Sequence, residues 1–313
     1  MRKIYVIGIG VGDPDQLTVQ AVKALRRVDV FFLLDKGARK SDLIGLRHEI
    51  LRRHVGEPAV RSDDEAGDRS ADRSRDAPAD ARGYRTVELR DPERERPADG
   101  AGYPGTVDDW RSRRAALYER AITHELSDGE GPDANEGPDG NEGPDRNDGP
   151  GRDRTGAFLV WGDPSLYDST LSILEEILAR GSVGFEYEVI PGISSVSALA
   201  AGHRVGLNGV GRPVQITTGR RLAEGWPDGV DDVVVMLDAH QSFRHHLAAD
   251  PVIHWGAYVG TEDEILVSGR LSEVADRIGE LRSEARARKG WIMDTYLLRR
   301  DPDLSGGSPR DRP

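Results

Sequence analysis

Short apolar runs, each followed by a helical pattern, constrain the fold of this chain more than any other feature. Lys3–Gly8 and Asp29–Leu34 are almost continuously apolar, which is typical of parallel strands buried on both faces. Leu17–Arg27 lies between them, with its apolar residues on one side of a helix. The alternation continues, with strands predicted at 85–89, 157–161 and 187–190 and helices at 42–53, 108–126 and 165–178. This order predicts an α/β fold with a mainly parallel sheet.

The pattern changes after Gly192, where short strands outnumber helices. Helices are predicted at 194–201 and 271–288, and strands at 214–217, 233–237, 253–259, 264–267 and 291–298. We therefore expect two domains, residues 1–192 and 193–313, with mixed strand pairing and a separate core in the second.

Two stretches without large apolar residues carry most of the chain's net charge of −12. Residues 62–82 hold seven acids and four arginines, and residues 128–153 hold nine acids and two arginines in a degenerate Glu-Gly-Pro-Asp repeat. Neither stretch can bury enough apolar surface to offset chain entropy, so both are predicted to be acidic disordered inserts. A solvated linker is favoured over a metal site, because proline recurs in every repeat. The other 266 residues carry a net charge of about −2.

Composition excludes several classes of protein. The absence of cysteine excludes disulfides, thiolate zinc sites and a cysteine nucleophile. No basic, aromatic-lined face suggests nucleic-acid binding. No apolar run reaches the ~18–20 residues of a membrane span, and Met1 leads into a strand-like run rather than a signal peptide. We therefore expect a soluble cytoplasmic protein.

The first strand opens into a glycine-rich loop, Gly8-Ile-Gly10-Val-Gly12-Asp13-Pro14. Glycines at a strand end let the backbone turn sharply and approach a ligand. A dinucleotide-binding loop needs a third glycine where this chain has Asp13, whose charge would repel a pyrophosphate. The loop therefore suits a neutral or cationic ligand, or it is a turn that binds nothing.

Three further motifs follow predicted strands, and the set resembles a known family. Gly162-Asp-Pro-Ser-Leu-Tyr, Pro191-Gly-Ile-Ser-Ser and Val233-Val-Val-Met-Leu-Asp each stand at a strand end, the edge where open α/β sheets bind ligands. Together with the first glycine loop, their order is similar to that of the tetrapyrrole methylases, over nearly the whole chain except the inserts. Within the family, Asp35-Lys-Gly, Ala201-Gly-His-Arg-Val-Gly-Leu-Asn and Ile216-Thr-Thr-Gly-Arg-Arg-Leu are most similar to the deacetylating members.

The resemblance implies a two-domain fold with a mainly parallel N-terminal sheet, a mixed C-terminal sheet and an active-site cleft between the domains. It implies S-adenosylmethionine as methyl donor, S-adenosylhomocysteine as product, and a homodimer, the usual state of the family. The implied reaction belongs to cobalamin biosynthesis: methylation of C-1 of precorrin-5 with loss of acetate, giving precorrin-6A. By position, the cofactor would contact Gly10, Val11, Gly12, Gly162, Asp163, Ser194, Ser195, Met236, Leu237, Gly260 and Gly269. Many members have proline where this chain has Val11, so the local backbone path is expected to differ.

Removal of the acetyl group needs an activated water, hence a base or hydrogen-bonding partner. Asp35 ends a buried strand and is the first candidate for this catalytic role, with a turn-forming aspartate as the alternative; His203 is the second. No metal site is expected, because the adjacent pair His245 and His246 cannot share one helix face.

The substrate's acetate and propionate groups require cations, and arginine suits bidentate carboxylate contacts. The candidates for substrate binding are Lys36, Arg39, Lys40, Arg204, Arg212, Arg220 and Arg221. The alternatives are a methylase acting on another corrinoid carbon, a dinucleotide-dependent oxidoreductase, and a non-catalytic corrinoid-binding protein.

Overall fold

The computed structural model describes residues 2–35, 41–57, 83–92, 103–127 and 154–300. The predicted inserts 62–82 and 128–153 lie outside these residues, as do Lys36, Arg39 and Lys40. The strands are β1 (Lys3–Gly8), β2 (Val30–Asp35), β3 (Arg85–Arg90), β4 (Thr155–Val160), β5 (Glu186–Ile190), β6 (Val214–Thr218), β7 (Asp232–Met236), β8 (Val252–Ala257), β9 (Ile265–Arg270) and β10 (Asp294–Arg299). The helices are α1 (Val19–Leu25), α2 (Ser41–His54), α3 (Tyr103–Glu125), α4 (Thr170–Arg180), α5 (Ser195–His203), α6 (Gly219–Glu224) and α7 (Leu271–Lys289).

The first sheet is parallel throughout, in the order β3-β2-β4-β1-β5. One face packs Tyr5, Ile7, Phe31 and Leu33 against α1 and α2. The other face packs Ile4, Val6, Phe32 and Phe158 against α3 and α4. Because both faces are covered, the central strands are apolar without alternation, which confirms the parallel sheet predicted from those runs. All five strands end at one edge, which we call the carboxyl edge of the first sheet.

The second sheet is mixed, in the order β6-β7-β10-β8-β9. β6 and β7 are parallel, and β10 runs antiparallel to both β7 and β8. β6, β7 and β8 therefore all end at the same edge, which we call the carboxyl edge of the second sheet. One face forms a core with α7, and it contains Trp255, Tyr296, Ile278 and Phe243.

The chain folds into two compact units. The first unit comprises Met1–Ile9 and Leu17–Gly192, and the second comprises Gly10–Gln16 and Ile193–Pro313. The glycine loop after β1 thus belongs to the second unit, although the sequence division at Gly192 assigned it to the first domain. Of the helices that the structure describes, none is both long enough and apolar enough to cross a membrane.

One local prediction was wrong, and three short elements were missed, one of them the 3-10 segment Pro14–Gln16. The helix predicted at 165–178 begins later than expected, because α4 starts only at Thr170, with Ser169 as its N-cap residue. The intervening residues form turns, in which Asp168 accepts a hydrogen bond from the Thr170 N–H at 2.7 Å. The short helix α6 and the 3-10 segment Ser242–Ala249 were not predicted at all.

Candidate functional site

Three glycines pack against one another at the carboxyl edge of the first sheet. A Cβ atom on Gly192 would lie 2.2 Å from the Gly162 carbonyl oxygen and 2.8 Å from the Gly8 Cα. A Cβ on Gly8 would lie 2.6 Å from the Gly192 nitrogen. Real Cβ atoms do not approach other atoms so closely, so these loops come together only because Gly8 and Gly192 lack side chains, and Gly162 contributes its carbonyl oxygen to the contact. Gly162 therefore has a packing role in addition to the cofactor contact that the sequence suggested.

Asp163 holds the same loops together through its carboxylate. Its Oδ2 atom accepts a hydrogen bond from the Gly192 N–H at 2.9 Å, and its Oδ1 atom accepts bonds from the N–H of Ser165, at 2.9 Å, and from the hydroxyl of Ser165. Burial acts to raise the pKa of Asp163, but the bonds from Ser165 and Gly192 outweigh it and hold the pKa below its usual value. The carboxylate is thus charged at neutral pH and engaged by three donors.

In the second unit, the glycine loop packs against the turn after β8. A Cβ on Gly12, whose φ is +141°, would lie 2.3 Å from Thr261 Cγ2. Conversely, a Cβ on Gly260, whose φ is +76°, would lie 2.5 Å from Val11 Cγ2. The loop is closed internally by a 3.3 Å bond from the Val11 N–H to the Gln16 side chain. The structure thus brings together Gly10, Val11, Gly12 and Gly260, four of the residues for which the family resemblance implied cofactor contacts.

The turn after β7, at the carboxyl edge of the second sheet, has an unusual backbone conformation. Leu237 has a φ of +55°, and its side chain is 66% exposed. Such a conformation costs a non-glycine residue free energy and persists only where its surroundings enforce it. The next residue, Asp238, provides that enforcement: its Oδ2 accepts bonds from the N–H of Ser242, at 2.6 Å, and the hydroxyl of Tyr296, at 2.7 Å. Leu237 and Met236 are therefore displayed on a fixed turn.

A buried ion pair between Arg282 and Asp294 holds this turn in place. Arg282 Nη2 donates to the Asp238 carbonyl oxygen at 2.8 Å, and Arg282 Nε donates to Asp294 Oδ2 at 3.0 Å. Trp255 Nε1 also donates to Asp294 Oδ2, at 3.0 Å. Burial raises the pKa of Asp294, and the charge of Arg282 and these hydrogen bonds oppose that rise. Removing either partner would leave an uncompensated charge under the turn.

Ser194 and Ser195 lie at the start of α5. Ser194 is the N-cap residue, and its hydroxyl accepts a 3.2 Å bond from the Ser197 N–H. Leu199 packs against Gly256, and His203, one turn later, contacts Trp255 and His254, so α5 runs opposite to β8. The helix therefore begins toward the carboxyl edge of the second sheet, on the same side as Leu237 and Gly260.

Gly269 does not join this set. It pairs with Ile253, near the start of β8, so about 13 Å of strand separates it from the edge where β8 ends. Because Gly269 has no side chain, α7 can pack closely against it: a Cβ there would lie 2.8 Å from Val274 Cγ1. We therefore remove Gly269 from the predicted cofactor contacts.

The two candidates for the base stand in different units. Asp35 is the last residue of β2, at the carboxyl edge of the first sheet, where its carbonyl accepts a 2.8 Å bond from the Asp91 N–H. His203 Nε2 lies 3.0 Å from the Trp255 carbonyl oxygen, in the middle of β8. A carbonyl only accepts, so Nε2 carries the proton and cannot act as the base. Asp35 keeps its predicted position at a strand end, whereas His203 is held against a strand interior.

The predicted substrate arginines do not form one cluster. Arg220 and Arg221 follow β6 on α6, at the carboxyl edge of the second sheet, and Arg221 pairs with Glu224 at 2.8 Å. Arg212 pairs with Asp231, just before β7, at the opposite edge. Arg204, which is exposed with a φ of +57°, ends α5 on that opposite side too. The expected basic rim is therefore reduced, among the described candidates, to Arg220 and Arg221.

Sequence reasoning missed three buried arginines: Arg47, Arg114 and Arg282. The signal was present in the helical spacing. Arg282 follows Leu271, Ala275 and Ile278 on the buried stripe of α7, and Arg47 lies four residues after Leu43 and three before Ile50 on α2. A charged residue at a core position of an amphipathic helix indicates a buried charge that needs a partner.

Comparison with known proteins defines the class. The sequence profile of the tetrapyrrole (corrin/porphyrin) methylases matches residues 3–92 and 151–275. The chain belongs to this family of methyltransferases.

Individual relatives agree with that assignment. A precorrin-6A synthase (deacetylating) of Sinorhizobium sp is 46% identical over 304 residues, which is 97% of each chain. A precorrin-4 C(11)-methyltransferase of Rhodococcus erythropolis is 28% identical over 37% of this chain and 53% of its own. Among solved structures, a cobalamin-synthesis-related protein (CobF) of Corynebacterium diphtheriae is 33% identical, with a TM-score of 0.69, over 96% of this chain and 99% of its own.

Proposed function

We propose that the protein is an S-adenosylmethionine-dependent methyltransferase of cobalamin biosynthesis that methylates C-1 of precorrin-5 and releases acetate, giving precorrin-6A. The observation that carries the proposal is the 46% identity to a deacetylating precorrin-6A synthase over 97% of both chains. Full-length similarity at this level supports a shared substrate as well as a shared fold. The strand-end motifs at the carboxyl edges of the two sheets are consistent with it.

The residues at that edge fit the proposed cofactor. Leu237 and Ile193 are exposed apolar side chains that suit an adenine ring and a ribose edge, and the backbone turns with positive φ at Gly10 and Gly260. Asp13 is exposed beside them and brings a carboxylate, which favours a sulfonium cation and opposes a phosphate. A dinucleotide-dependent oxidoreductase is therefore the poorer interpretation of the same loop.

When bound, S-adenosylmethionine supplies an electrophilic methyl group on a positively charged sulfur. The chain's contribution to this step is position: the accepting carbon must lie in line with the carbon–sulfur bond, about 3–3.5 Å from the methyl. The fixed turn at Leu237, supported by Asp238 and Arg282, is suited to that task because it does not reorganise. No general acid or base is required at the methyl itself.

Loss of the acetyl group is the step that needs proton transfer. The bond between the ring carbon and the acetyl carbonyl breaks, water supplies the hydroxyl of acetate, and a base must accept a proton from that water. Asp35 is the proposed base, because it lies at a strand end, whereas His203 is held against the interior of β8. In total, precorrin-5, S-adenosylmethionine and water give precorrin-6A, S-adenosylhomocysteine, acetate and two protons.

The test is anaerobic incubation of the protein with precorrin-5 and S-adenosylmethionine. We expect equal amounts of S-adenosylhomocysteine and acetate, and a tetrapyrrole that has gained one methyl and lost one acetyl group. A methylated product that keeps its acetyl group would indicate a methylase acting on another corrinoid carbon. Binding without turnover would indicate a corrinoid carrier. The homodimer remains a prediction, which light scattering of the purified protein tests.

A further inference from the structure

Strands β2 and β4 separate before they end, and the gap between them is filled by a guanidinium. They pair at three positions, the last being Phe32 with Phe158, after which β2 continues to Asp35 and β4 to Val160. The Val160 carbonyl points toward β1, where it accepts a 2.9 Å bond from the Ile9 N–H, so the Leu159 carbonyl points toward the gap. Arg47 Nε donates to that carbonyl at 3.3 Å.

This gap lies where open sheets bind ligands. The chain leaves β2 for α2, on one face of the sheet, and leaves β4 for α4, on the other face. Neighbouring strands whose connections depart in opposite directions form a crevice outside their carboxyl ends, and ligands of α/β proteins bind in such crevices. The side chain that enters this crevice is cationic.

Arg47 is a buried charge without an ionic partner among the described residues. Its exposed fraction is 7%, and its hydrogen bonds to them go only to the carbonyl oxygens of Leu159 and, at 2.8 Å through Nη1, Leu43. The other two buried arginines each have a carboxylate: Arg114 pairs with Asp91, and Arg282 pairs with Asp294. Nη2 of Arg47 has no acceptor in the part of the chain that the structure describes.

The electrostatic surroundings agree with this geometry. Burial lowers the pKa of Arg47, and the more distant Tyr118 and Asp168 only partly oppose that effect. An arginine stays protonated even so. A buried cation held by two neutral carbonyls is costly to the folded state, whereas a pair with an anion offsets part of that cost.

A second donor without a partner lies beside the end of β4. The indole Nε1 of Trp161 is buried and makes no hydrogen bond to a described residue. Trp161 follows Val160 directly and stands two residues after Leu159, the residue to which Arg47 is bonded. A buried indole N–H normally has an acceptor, so the end of β4 has an indole donor without a described partner and, bonded to Leu159, a guanidinium without a described carboxylate partner.

We infer that Arg47 and Trp161 form a binding site for one carboxylate of the tetrapyrrole substrate, an acetate or propionate group at the ring periphery. The inference rests on the proposed function, since it takes the substrate to be a polycarboxylate. A guanidinium and an indole N–H are donors only, so the ligand must be an acceptor, and a carboxylate also supplies the missing negative charge. Both residues of this site belong to the first unit.

The two roles that Arg47 could have predict opposite effects on stability. If it only fills the gap between β2 and β4, replacing it weakens the fold. If it is kept for a ligand, the substitution Arg47→Met removes an uncompensated charge and leaves the melting temperature unchanged or higher. Arg114→Met is the matched control in the same unit, because it strands the Asp91 carboxylate and is expected to lower the melting temperature.

The experiment measures binding of precorrin-5 in the presence of S-adenosylhomocysteine, which prevents turnover, to the wild type and to Arg47→Met, Arg47→Lys and Trp161→Phe. We expect Kd for precorrin-5 to rise about 10- to 100-fold in Arg47→Met, less in Arg47→Lys, and several-fold in Trp161→Phe, which keeps the ring and loses only the donor. Kd for S-adenosylhomocysteine alone should change less than twofold. The same titration with sodium acetate separates the substrate's carboxylate from free acetate. If Arg47→Met raises the Kd for acetate or for S-adenosylhomocysteine by a larger factor than the Kd for precorrin-5, the assignment is overturned.

The outcomes separate this inference from the proposed function. If wild type neither binds nor converts precorrin-5, the function is wrong and the inference falls with it. If wild type converts precorrin-5 but Arg47→Met and Trp161→Phe both bind it as tightly as wild type, the function stands and the carboxylate site is wrong. Should Arg47→Met fail to fold, Trp161→Phe and Arg47→Lys decide by the same criterion.

Discussion

The Asp163 carboxylate accepts a hydrogen bond from the Gly192 N–H at 2.9 Å, and so joins the loop after β4 to the loop after β5. Both loops belong to motifs that carry the family resemblance. These two motifs occur together for a structural reason. The Asp163 carboxylate accepts hydrogen bonds from backbone N–H groups that follow both strands. Asp163 thereby fixes the position of one loop relative to the other.

Replacing Asp163 by alanine is expected to lower the free energy of unfolding by about 1.5–3 kcal/mol, because hydrogen bonds to a charged acceptor are lost. The folded pKa lies below the ordinary value, so this stabilisation is present above the unfolded pKa and disappears as pH falls through the folded pKa. Urea unfolding of wild type and Asp163→Ala should therefore differ most above about pH 5 and converge in stronger acid. A difference that stays constant down to about pH 2.5 would contradict this account.

Gly192→Ala tests the glycine packing at the same edge. The added methyl group would meet the Gly162 carbonyl at 2.2 Å, so the loops must separate, and we expect a loss of about 2–3 kcal/mol in the free energy of unfolding. Gly184→Ala is the matched control in the same unit, because a Cβ there meets nothing within 4 Å. Equal thermal stability of the two variants would show that the three glycines do not pack as described.

The parallel strands could be predicted from sequence because burial on both faces removes any alternation. β1 and β2 have four buried residues or more in succession, and a run of that kind leaves few alternatives. The start of α4 could not be predicted in the same way. Asp163-Pro164 has the composition of a helix start, but its carboxylate is bound by Gly192, about 30 residues further along the chain, and no local pattern reports such a partner.

The positions of site residues could be predicted where a motif directly follows its own strand. They could not be predicted where the contacting residue comes from another part of the chain. Gly10, Gly12 and Gly260 were named by position from the family resemblance, and the structure brings them together. Gly269 was misplaced because its strand runs antiparallel to β8, and strand direction in a mixed sheet cannot be inferred from a short apolar run. Arg47 was overlooked because helical periodicity identifies the buried stripe of α2 by its apolar residues, and an arginine on that stripe does not contribute to the pattern.

The His254 ring gives the second unit a predicted sensitivity to acid. Burial, followed by the nearby His203 and Arg299, lowers the pKa of His254 to about 4. The unfolded chain binds this proton near pH 6.5 and the folded chain does not, so the stability that the neutral ring permits is complete above pH 6.5 and is lost as pH falls toward 4. We expect a loss of about 1–2 kcal/mol over that range, after allowance for partial exposure of the ring.

His254→Gln should flatten this part of the stability profile, measured by chemical unfolding between about pH 4 and pH 7. His246 keeps a smaller dependence in the variant, because burial lowers its pKa as well, against the effect of its bond to the Leu222 carbonyl. An unaltered slope in His254→Gln would assign the acid sensitivity to other groups.

Gly12→Ala tests whether the glycine loop is held by the turn after β8. The new methyl group would stand 2.3 Å from Thr261 Cγ2, so the loop must move away from the turn, and we expect the KM for S-adenosylmethionine to rise about tenfold or more. Thr261→Ser removes that Cγ2 atom while keeping the hydroxyl, which donates to the Tyr258 carbonyl at 2.7 Å. The double variant should therefore recover part of the lost affinity, but not all of it, because alanine is also strained at a φ of +141°. Isothermal titration with S-adenosylhomocysteine measures the recovery directly; if Thr261→Ser brings none, the contact between Gly12 and Thr261 does not set the position of the loop.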